Sequence, residues 1–176
     1  MIPRLETDRL VLRAFRAEDF EAWAAIMGDA DVMTFLGGPM VRTDAWRAMA
    51  MTLGHWALRG YGMWAVERKE DSVFIGRVGM LNPEGWTGLE VGWTLGKAFW
   101  GQGYATEAAA CAMRFAFLTQ AVERVVSNID AGNTASQAVA LRLGESKGPC
   151  AELSVAGHKM MVDVWSISRE EWQRRV

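Results

Sequence analysis

Two glycines separated by one residue, Gly101 and Gly103, follow an apolar run with strand character and precede a long alanine-rich run. Glycine lets the backbone approach a ligand closely and adopt positive φ angles. A helix that begins at such a turn offers unpaired N–H groups and a partial positive charge, and both favour a phosphate. The segment 89–109 therefore predicts a strand, a glycine turn and a helix that together hold the pyrophosphate of a cofactor.

Two common phosphate-binding motifs fit this segment poorly. A Walker A loop needs four residues before its Gly-Lys-Ser/Thr, but three residues separate Gly92 from Gly96, and Ala98 follows Lys97. A dinucleotide fingerprint needs a third glycine where Thr106 stands, and it normally occupies the first strand–helix turn of its fold. A nucleotide-dependent enzyme therefore remains a weaker alternative.

Composition places the chain among ordinary globular proteins. The 176 residues are 51% hydrophobic and 23% charged, which predicts one domain over 1–176 with a substantial core. A formal net charge of −2 and a pI of about 5.7 give no electrostatic reason to expect a nucleic-acid partner.

Cysteine and histidine are too few and too scattered for a metal site. Cys111 and Cys150 have no Cys-x-x-Cys partner, and His55 and His158 lack the spacing of metal ligands. The N-terminus lacks the pattern of a signal peptide, and no apolar run is long enough to span a membrane. We therefore expect a soluble cytoplasmic protein with no metal and no membrane association.

The hydrophobic pattern predicts a mixed α/β domain. Thr43 is expected to cap the second helix, Gly144 to end the fourth, and Ser168 with Glu171 to form a capping box for the last. The element order β-α-α-β-β-β-α-β-α-β-β-α implies a mixed sheet with helices on both faces. Strands are expected at 9–13, 63–68, 74–81, 89–95, 124–129 and 159–167, and helices at 17–27, from Thr43 to about 59, 103–119 and 134–143.

Taken together, the segments around these elements resemble the Gcn5-related N-acetyltransferase (GNAT) superfamily, of the ribosomal-protein-alanine acetyltransferase (RimJ/RimL) type. The order and spacing of the pieces carry the resemblance. Ala98 departs from the Gln or Arg that opens the family signature Gln/Arg-x-x-Gly-x-Gly/Ala. The pieces are 6–13, 90–95, 100–108, 133–136, 142–144 and 165–172.

The resemblance implies a central mixed, mostly antiparallel sheet of about seven strands, splayed between strands four and five. It also implies acetyl-coenzyme A as co-substrate and a primary amine as acceptor, either a protein N-terminus or a small molecule, which attacks the thioester directly. The residues implied to bind the cofactor lie on strand four, in the turn, and at the start of the next helix: Trp93, Thr94, Leu95, Trp100, Gly101, Gln102, Gly103, Tyr104, Ala105, Asn133 and Ser136.

Glu90 is the carboxylate that the resemblance favours as a base, acting through water, although a solvent-facing strand residue is the competing interpretation. Many relatives carry a tyrosine as general acid where this chain has Ala140. Water or Ser136 could supply that proton instead, and Ser136 could equally be a helix-cap partner or a cofactor contact.

Two questions stay open at this point. The missing tyrosine leaves room for a non-catalytic acyl-coenzyme A binding or sensing module on the same fold. The tryptophan content and the edge of the last strand leave room for a homodimer as well as a monomer.

Overall fold

The computed structural model describes residues 1–155 and 158–175, which form eight strands and six α-helices. The strands are β1 (Leu5–Glu6), β2 (Leu10–Arg13), β3 (Met63–Arg68), β4 (Val73–Leu81), β5 (Glu90–Leu95), β6 (Arg124–Ile129), β7 (Ser146–Val155) and β8 (His158–Ser168). The helices are α1 (Phe20–Gly28), α2 (Ala30–Met33), α3 (Arg42–Arg59), α4 (Tyr104–Thr119), α5 (Thr134–Leu143) and α6 (Arg169–Gln173).

All strands belong to one sheet of order β1-β2-β3-β4-β5-β6-β8-β7. Every neighbouring pair is antiparallel except β5 and β6, which are parallel. The predicted mixed, mostly antiparallel sheet is thus confirmed, with one strand more than the expected seven. The additional strand β1 has two residues, too few for an alternating pattern to be visible in the sequence.

The sheet opens between β5 and β6, the strands predicted at 89–95 and 124–129. Their register consists of one pair, Glu90 opposite Val126, with the Val126 N–H donating to the carbonyl of Leu89 at 2.9 Å. Within residues 1–155 and 158–175, no later register pair joins these two strands. The backbone edges beyond Val91 therefore lack a strand partner on this side.

Two hydrophobic cores cover the two faces of the sheet. On one face α4 packs through small side chains, since Ala108, Ala109, Ala112 and Ala116 are fully buried. On the other face Trp23, Met27 and Met33 pack with α3. Among the described residues, no helix has both the length and the apolar character needed to cross a membrane.

The helix ends show which sequence signals decide a boundary. Gly144 ends α5 with φ of 90°, and Ser168 and Glu171 form the capping box of α6, both as predicted. The prediction that Thr43 caps α3 is wrong. The helix begins at Arg42, because the Val41 carbonyl already accepts from the N–H groups of Asp44 and Ala45.

Gly76 lets β4 and β5 approach each other beside the opening. It has φ of 144°, and a Cβ there would lie 2.2 Å from the Thr94 carbonyl oxygen. No side-chain rotation can relieve that clash, because the obstacle is backbone. A side chain at Gly76 would push β5 away from β4.

We expect Gly76→Ala to lower the free energy of unfolding by about 1–3 kcal/mol, because a buried overlap must be relieved by moving a strand. Gly54→Ala is the matched control: Gly54 lies inside α3 with open space around it, so the same substitution should stabilise by about 0.5–1 kcal/mol. Urea unfolding of the three proteins measures both. Equal destabilisation in the two variants would contradict the role of Gly76.

Candidate active site

The glycine turn leads directly from β5 into α4. A short 3-10 turn over Lys97–Phe99 follows β5, and Gly101 and Gly103 then take positive φ angles of 72° and 82°. Gly103 is the N-cap residue of α4, and no side chain caps this helix end. The first N–H groups of a 16-residue helix therefore point into the turn, as the sequence predicts.

Arg9, from the start of the sheet, holds this turn in place. Its Nη1 donates to the Gln102 carbonyl at 3.0 Å, and its guanidinium lies 4.5 Å from the centre of the Tyr104 ring. Glu107 in turn accepts from the Arg9 Nε at 2.6 Å and from the Thr7 hydroxyl at 2.5 Å. Burial by itself raises the pKa of Glu107, but the hydrogen bonds from Thr7 and Arg9 outweigh that effect, so the net pKa is lowered and the carboxylate stays ionised. The result is a fixed cation beside the glycines.

Trp100 and Gln102 brace the turn from within. The Trp100 Nε1 donates to the Leu95 carbonyl at 2.8 Å, although the side chain is otherwise exposed. The Gln102 amide donates to the carbonyl of Ala98 at 2.9 Å. Ala98 thus contributes to the turn through its backbone, which any residue at that position supplies.

Three predicted cofactor residues meet across the gap between β5 and α5. The Trp93 Nε1 donates to the Ser136 hydroxyl oxygen at 3.1 Å, and the Ser136 N–H donates to the Asn133 side chain at 3.0 Å. Asn133 is the N-cap residue of α5. Thr94 and Leu95 are buried, and Ala105 lies half-buried in the first turn of α4. Segments more than 40 residues apart in sequence are therefore brought to one opening.

Glu90 is buried at the point where β5 and β6 meet, so the solvent-facing interpretation is wrong. Its side chain accepts hydrogen bonds from the Trp86 indole N–H and from the Asn128 amide, the latter at 3.1 Å. Burial raises the pKa of Glu90, and these two donors together with the charge of Arg77 reduce that shift. A carboxylate with a raised pKa is suited to accept a proton near neutral pH.

Arg77, which sequence reasoning missed, lies on the same face of the sheet as Glu90. Desolvation lowers the pKa of Arg77 to about 10, against the opposing charge of Glu90, so it remains a cation at neutral pH. Its guanidinium lies 5.0 Å from the Trp23 ring, and Nε and Nη1 are buried with no hydrogen-bond partner among the described residues. An arginine within a strand carries no sequence signal that distinguishes it from a solvent-facing one.

Ser127 and Glu145 were also missed, and they lie on the opposite face of the opening. The Ser127 hydroxyl is 2.7 Å from the Val91 carbonyl oxygen and 2.9 Å from Glu145 Oε1. Both residues are buried, and desolvation raises the pKa of Glu145 to about 8. Glu145 follows the helix-ending Gly144, where a charged residue usually indicates solvent rather than a core.

The side chains of the two tyrosines make other contacts. Tyr104 stacks on Arg9 in the glycine turn, and Tyr61 packs edge-on against His55. Ala140 is fully buried, and its carbonyl accepts from the N–H of Glu145 at 3.0 Å. The position where the resemblance places a tyrosine is therefore occupied by a methyl group next to a buried acid.

Comparison with known proteins agrees with this geometry. An acetyltransferase from Agrobacterium tumefaciens str. C58 superposes with a TM-score of 0.85 and 31% identity over 96% of each chain. YkkB of Bacillus subtilis (strain 168) is 32% identical over 151 residues, covering 80% of this chain and 84% of that protein. The N-acetyltransferase YoaA of the same strain is 27% identical over 150 residues, covering 84% and 85%.

The model of the acetyltransferase (GNAT) domain family matches residues 9–145, from the arginine that holds the glycine turn to the buried acid. That span contains β5 and β6, the glycine turn, Glu90 and Glu145. The match and the named relatives support an acetyltransferase enzyme over a non-catalytic module. The chain belongs to the GNAT family of acetyltransferases.

Proposed function

We propose that this protein transfers the acetyl group of acetyl-coenzyme A to a primary amine of a protein N-terminus or a small molecule. The observation that carries the proposal is the opening between β5 and β6, which has a glycine turn with free N–H groups at its mouth and buried Glu90 at its base. A fold neighbour, the ribosomal L7/L12 acetyltransferase RimL, was solved in complex with coenzyme A; it is 17% identical with a TM-score of 0.76 over 94% of this chain.

The residues present fit a pyrophosphate-bearing ligand. A Cβ at Gly101 would meet nothing within 4 Å, so the turn has open space beside its N–H groups. The cation of Arg9 lies at the same turn, where it favours negative charge. In this proposal the N–H groups from Gly101 to Ala105 hold the pyrophosphate, with Trp100, Gln102 and Tyr104 shaping the turn.

The remaining predicted contacts line the opening itself. The backbone of Trp93, Thr94 and Leu95 forms the strand edge that a pantetheine arm can pair with, in the manner of an added strand. Asn133 and Ser136 lie across the gap at the start of α5. When bound, acetyl-coenzyme A supplies the activated acetyl thioester.

The chain then has to remove a proton from the amine and hold negative charge on oxygen. Glu90 is placed for the first task, directly or through water, because it is buried at the base of the opening and its raised pKa makes the carboxylate a stronger base. Backbone N–H groups from Trp93 to Leu95 that have no strand partner are placed for the second. Trp86, half-buried and bonded to Glu90, lines the acceptor side.

Calorimetric titration with acetyl-coenzyme A, ATP and NAD tests the cofactor assignment. Binding of acetyl-coenzyme A alone supports it, and binding of only a nucleotide would refute it. A panel of amines and peptides, followed by thiol release, then tests turnover, with mass spectrometry locating the acetyl group. Cofactor binding without thiol release from any acceptor would favour the sensing module.

Gly103→Val should raise the Kd for acetyl-coenzyme A by about tenfold or more, because valine resists φ of 82° and its side chain would fill the turn beside Arg9. Gly37→Val is the matched control: Gly37 has φ of 95° with open space around it, so the strain is similar but lies outside the turn. Calorimetry on both variants measures the difference. An equal Kd for the two would remove the turn from the binding site.

Arg9→Gln should raise the same Kd by about three- to tenfold, because it removes both the bond to the Gln102 carbonyl and a cation at the turn. The affinity of the variant should also depend less on salt concentration than that of the wild type. Arg4→Gln, which removes an exposed arginine paired with Glu6, is the control and should leave the Kd unchanged. A salt dependence identical to the wild type would contradict the electrostatic role of Arg9.

Glu90→Gln should lower kcat by about a hundredfold and leave the Kd for acetyl-coenzyme A unchanged, because the amide keeps the hydrogen-bonding shape but cannot accept the proton. The remaining activity should rise with pH as more of the amine is deprotonated in solution. Steady-state rates across pH, measured beside the Kd, check this. An unaltered kcat at every pH would exclude Glu90 as the base.

A further inference from the structure

A short hydrogen-bonded chain occupies the point where β5 and β6 separate. Glu145 Oε1 lies 2.9 Å from the Ser127 hydroxyl, which lies 2.7 Å from the Val91 carbonyl oxygen. Ser127 is 1% exposed and Glu145 is 2% exposed, so both groups are largely removed from bulk water. These hydrogen bonds link Glu145, immediately before β7, to Ser127 on β6 and to Val91 on β5.

The two short contacts of the Ser127 hydroxyl favour a proton on Glu145. A serine hydroxyl has one hydrogen, and a backbone carbonyl can only accept. If Ser127 donates to Val91, then the contact with Glu145 is a hydrogen bond only when the carboxyl group donates to Ser127. If Glu145 were ionised, the single Ser127 hydrogen could serve only one of its two short contacts, to Val91 or to Glu145. The other would bring two buried oxygen atoms together without a hydrogen between them, which costs free energy. The neutral acid satisfies both contacts.

Two further polar atoms at this place have no partner. Glu145 Oε2 and Trp165 Nε1 are both buried without a hydrogen-bond partner among the described residues. Trp165 lies directly opposite Ser127 in the β6–β8 register and packs with Ala140. A buried polar atom that is left unpaired costs free energy, so a purely structural site would be expected to satisfy or replace these groups.

The charged groups around Glu145 favour its neutral form. Desolvation raises its pKa to about 8, the hydrogen bond with Ser127 lowers it by less, and the like charge of Glu90 adds a smaller rise. The cations on adjacent elements have other partners. Lys147 forms an ion pair with Asp163, and Arg175 donates a hydrogen bond to the Arg142 carbonyl. No salt bridge to Glu145 occurs among the described residues.

We propose that Ser127 and Glu145 donate the proton that the coenzyme A thiolate receives, in place of the tyrosine that this chain lacks. The inference rests on the proposed function. As the amine nitrogen bonds to the acetyl carbon, the carbon–sulfur bond breaks and its electron pair stays on sulfur. Ser127 gives its hydroxyl proton to that sulfur and takes the carboxyl proton of Glu145, which is left ionised. Glu145 regains a proton from solvent once the products have left.

The rate as a function of pH tests the pair. In the wild type, kcat should fall above about pH 8, where Glu145 loses its proton. Glu145→Gln should lower kcat by about tenfold and abolish that fall, because an amide can bond to Ser127 but cannot release a proton. Glu152→Gln, which removes an exposed carboxylate on β7, is the matched control and should keep the wild-type profile.

A double-mutant cycle tests whether the two side chains act as one unit. Ser127→Ala should lower kcat about as much as Glu145→Gln, and the double variant should be no slower than either single variant. Independent, multiplying losses would contradict a shared proton path. Melting temperatures of all variants separate a loss of proton transfer from a loss of fold.

A readout without substrate keeps the proposal testable if a variant folds poorly. Carbon-13 NMR of the glutamate carboxyl groups in the wild-type protein should show a group that titrates near pH 8 and that Glu145→Gln removes. The stability of the wild type should also fall relative to Glu145→Gln between about pH 5 and pH 8. The folded state then holds a proton that the unfolded state has lost.

The possible failures are distinguishable. The fall of kcat at low pH belongs to the amine and Glu90, so the proposal expects it to be the same in Glu145→Gln as in the wild type. If kcat still falls above pH 8 in Glu145→Gln, Glu145 is not the proton donor and the proposal is overturned. A Glu145 carboxyl that titrates near its ordinary value also overturns it. Binding of acetyl-coenzyme A with no turnover of any amine would instead contradict the proposed function.

Discussion

Parallel strands β5 and β6 share one register pair, and the candidate site exists because their pairing stops there. A backbone N–H or carbonyl in a protein interior must find a partner, so an opened sheet leaves groups that a ligand can satisfy. The strands on either side of the opening are fixed by their other neighbours. β5 pairs with β4 through six register pairs, and β6 pairs with β8 through six. Each strand is thus paired along its outer edge, and among the described residues no register pair joins the inner edges beyond Glu90 and Val126.

The same constraint explains why charged groups are tolerated in the core. Glu90, Arg77 and Glu145 are buried around the opening, and desolvation is the largest cause of the pKa shift of each. Such groups rarely stabilise a fold, since apolar side chains of similar volume would pack there at a lower cost. Their concentration at one opening is typical of a site that needs groups able to exchange protons.

Local signals in the sequence predicted the elements well and the chemistry only in part. Glycines with strict backbone requirements, such as Gly101, Gly103 and Gly144, indicated the turn and a helix end that the structure contains. Ser168 and Glu171 likewise predicted a cap from local spacing. The prediction from Thr43 was wrong because a helix begins at the first carbonyl that accepts a hydrogen bond from a helical N–H group. In α3 that carbonyl belongs to Val41, which needs no side-chain cap to do this.

The groups that sequence reasoning missed depend on contacts between distant segments. Arg9 bonds to Gln102, which lies 93 residues further along the sequence. Ser127 is separated in sequence from its partners Glu145 and Val91 by 18 and 36 residues. Nothing in the residues next to Glu145 distinguishes a buried acid from a surface one. The burial of Glu90 was undecided for the same reason, because alternation places a strand residue on a face without saying what covers that face.

Alternation does decide how the two carboxylates are arranged. The side chains of adjacent strand residues point to opposite faces of a sheet, so those of Ser127 and Asn128 do so here. Asn128 bonds to Glu90 on one face, and Ser127 bonds to Glu145 on the other. Glu90 therefore shares a face with Arg77 and the α1 core, and Glu145 lies on the face of α5. Desolvation is the main cause of the raised pKa of Glu145, and the like charge of an ionised Glu90 adds to it. One acceptor and one donor of protons, on opposite faces of the sheet, is the protonation state that the proposed reaction needs for attack by an amine and departure of a thiol.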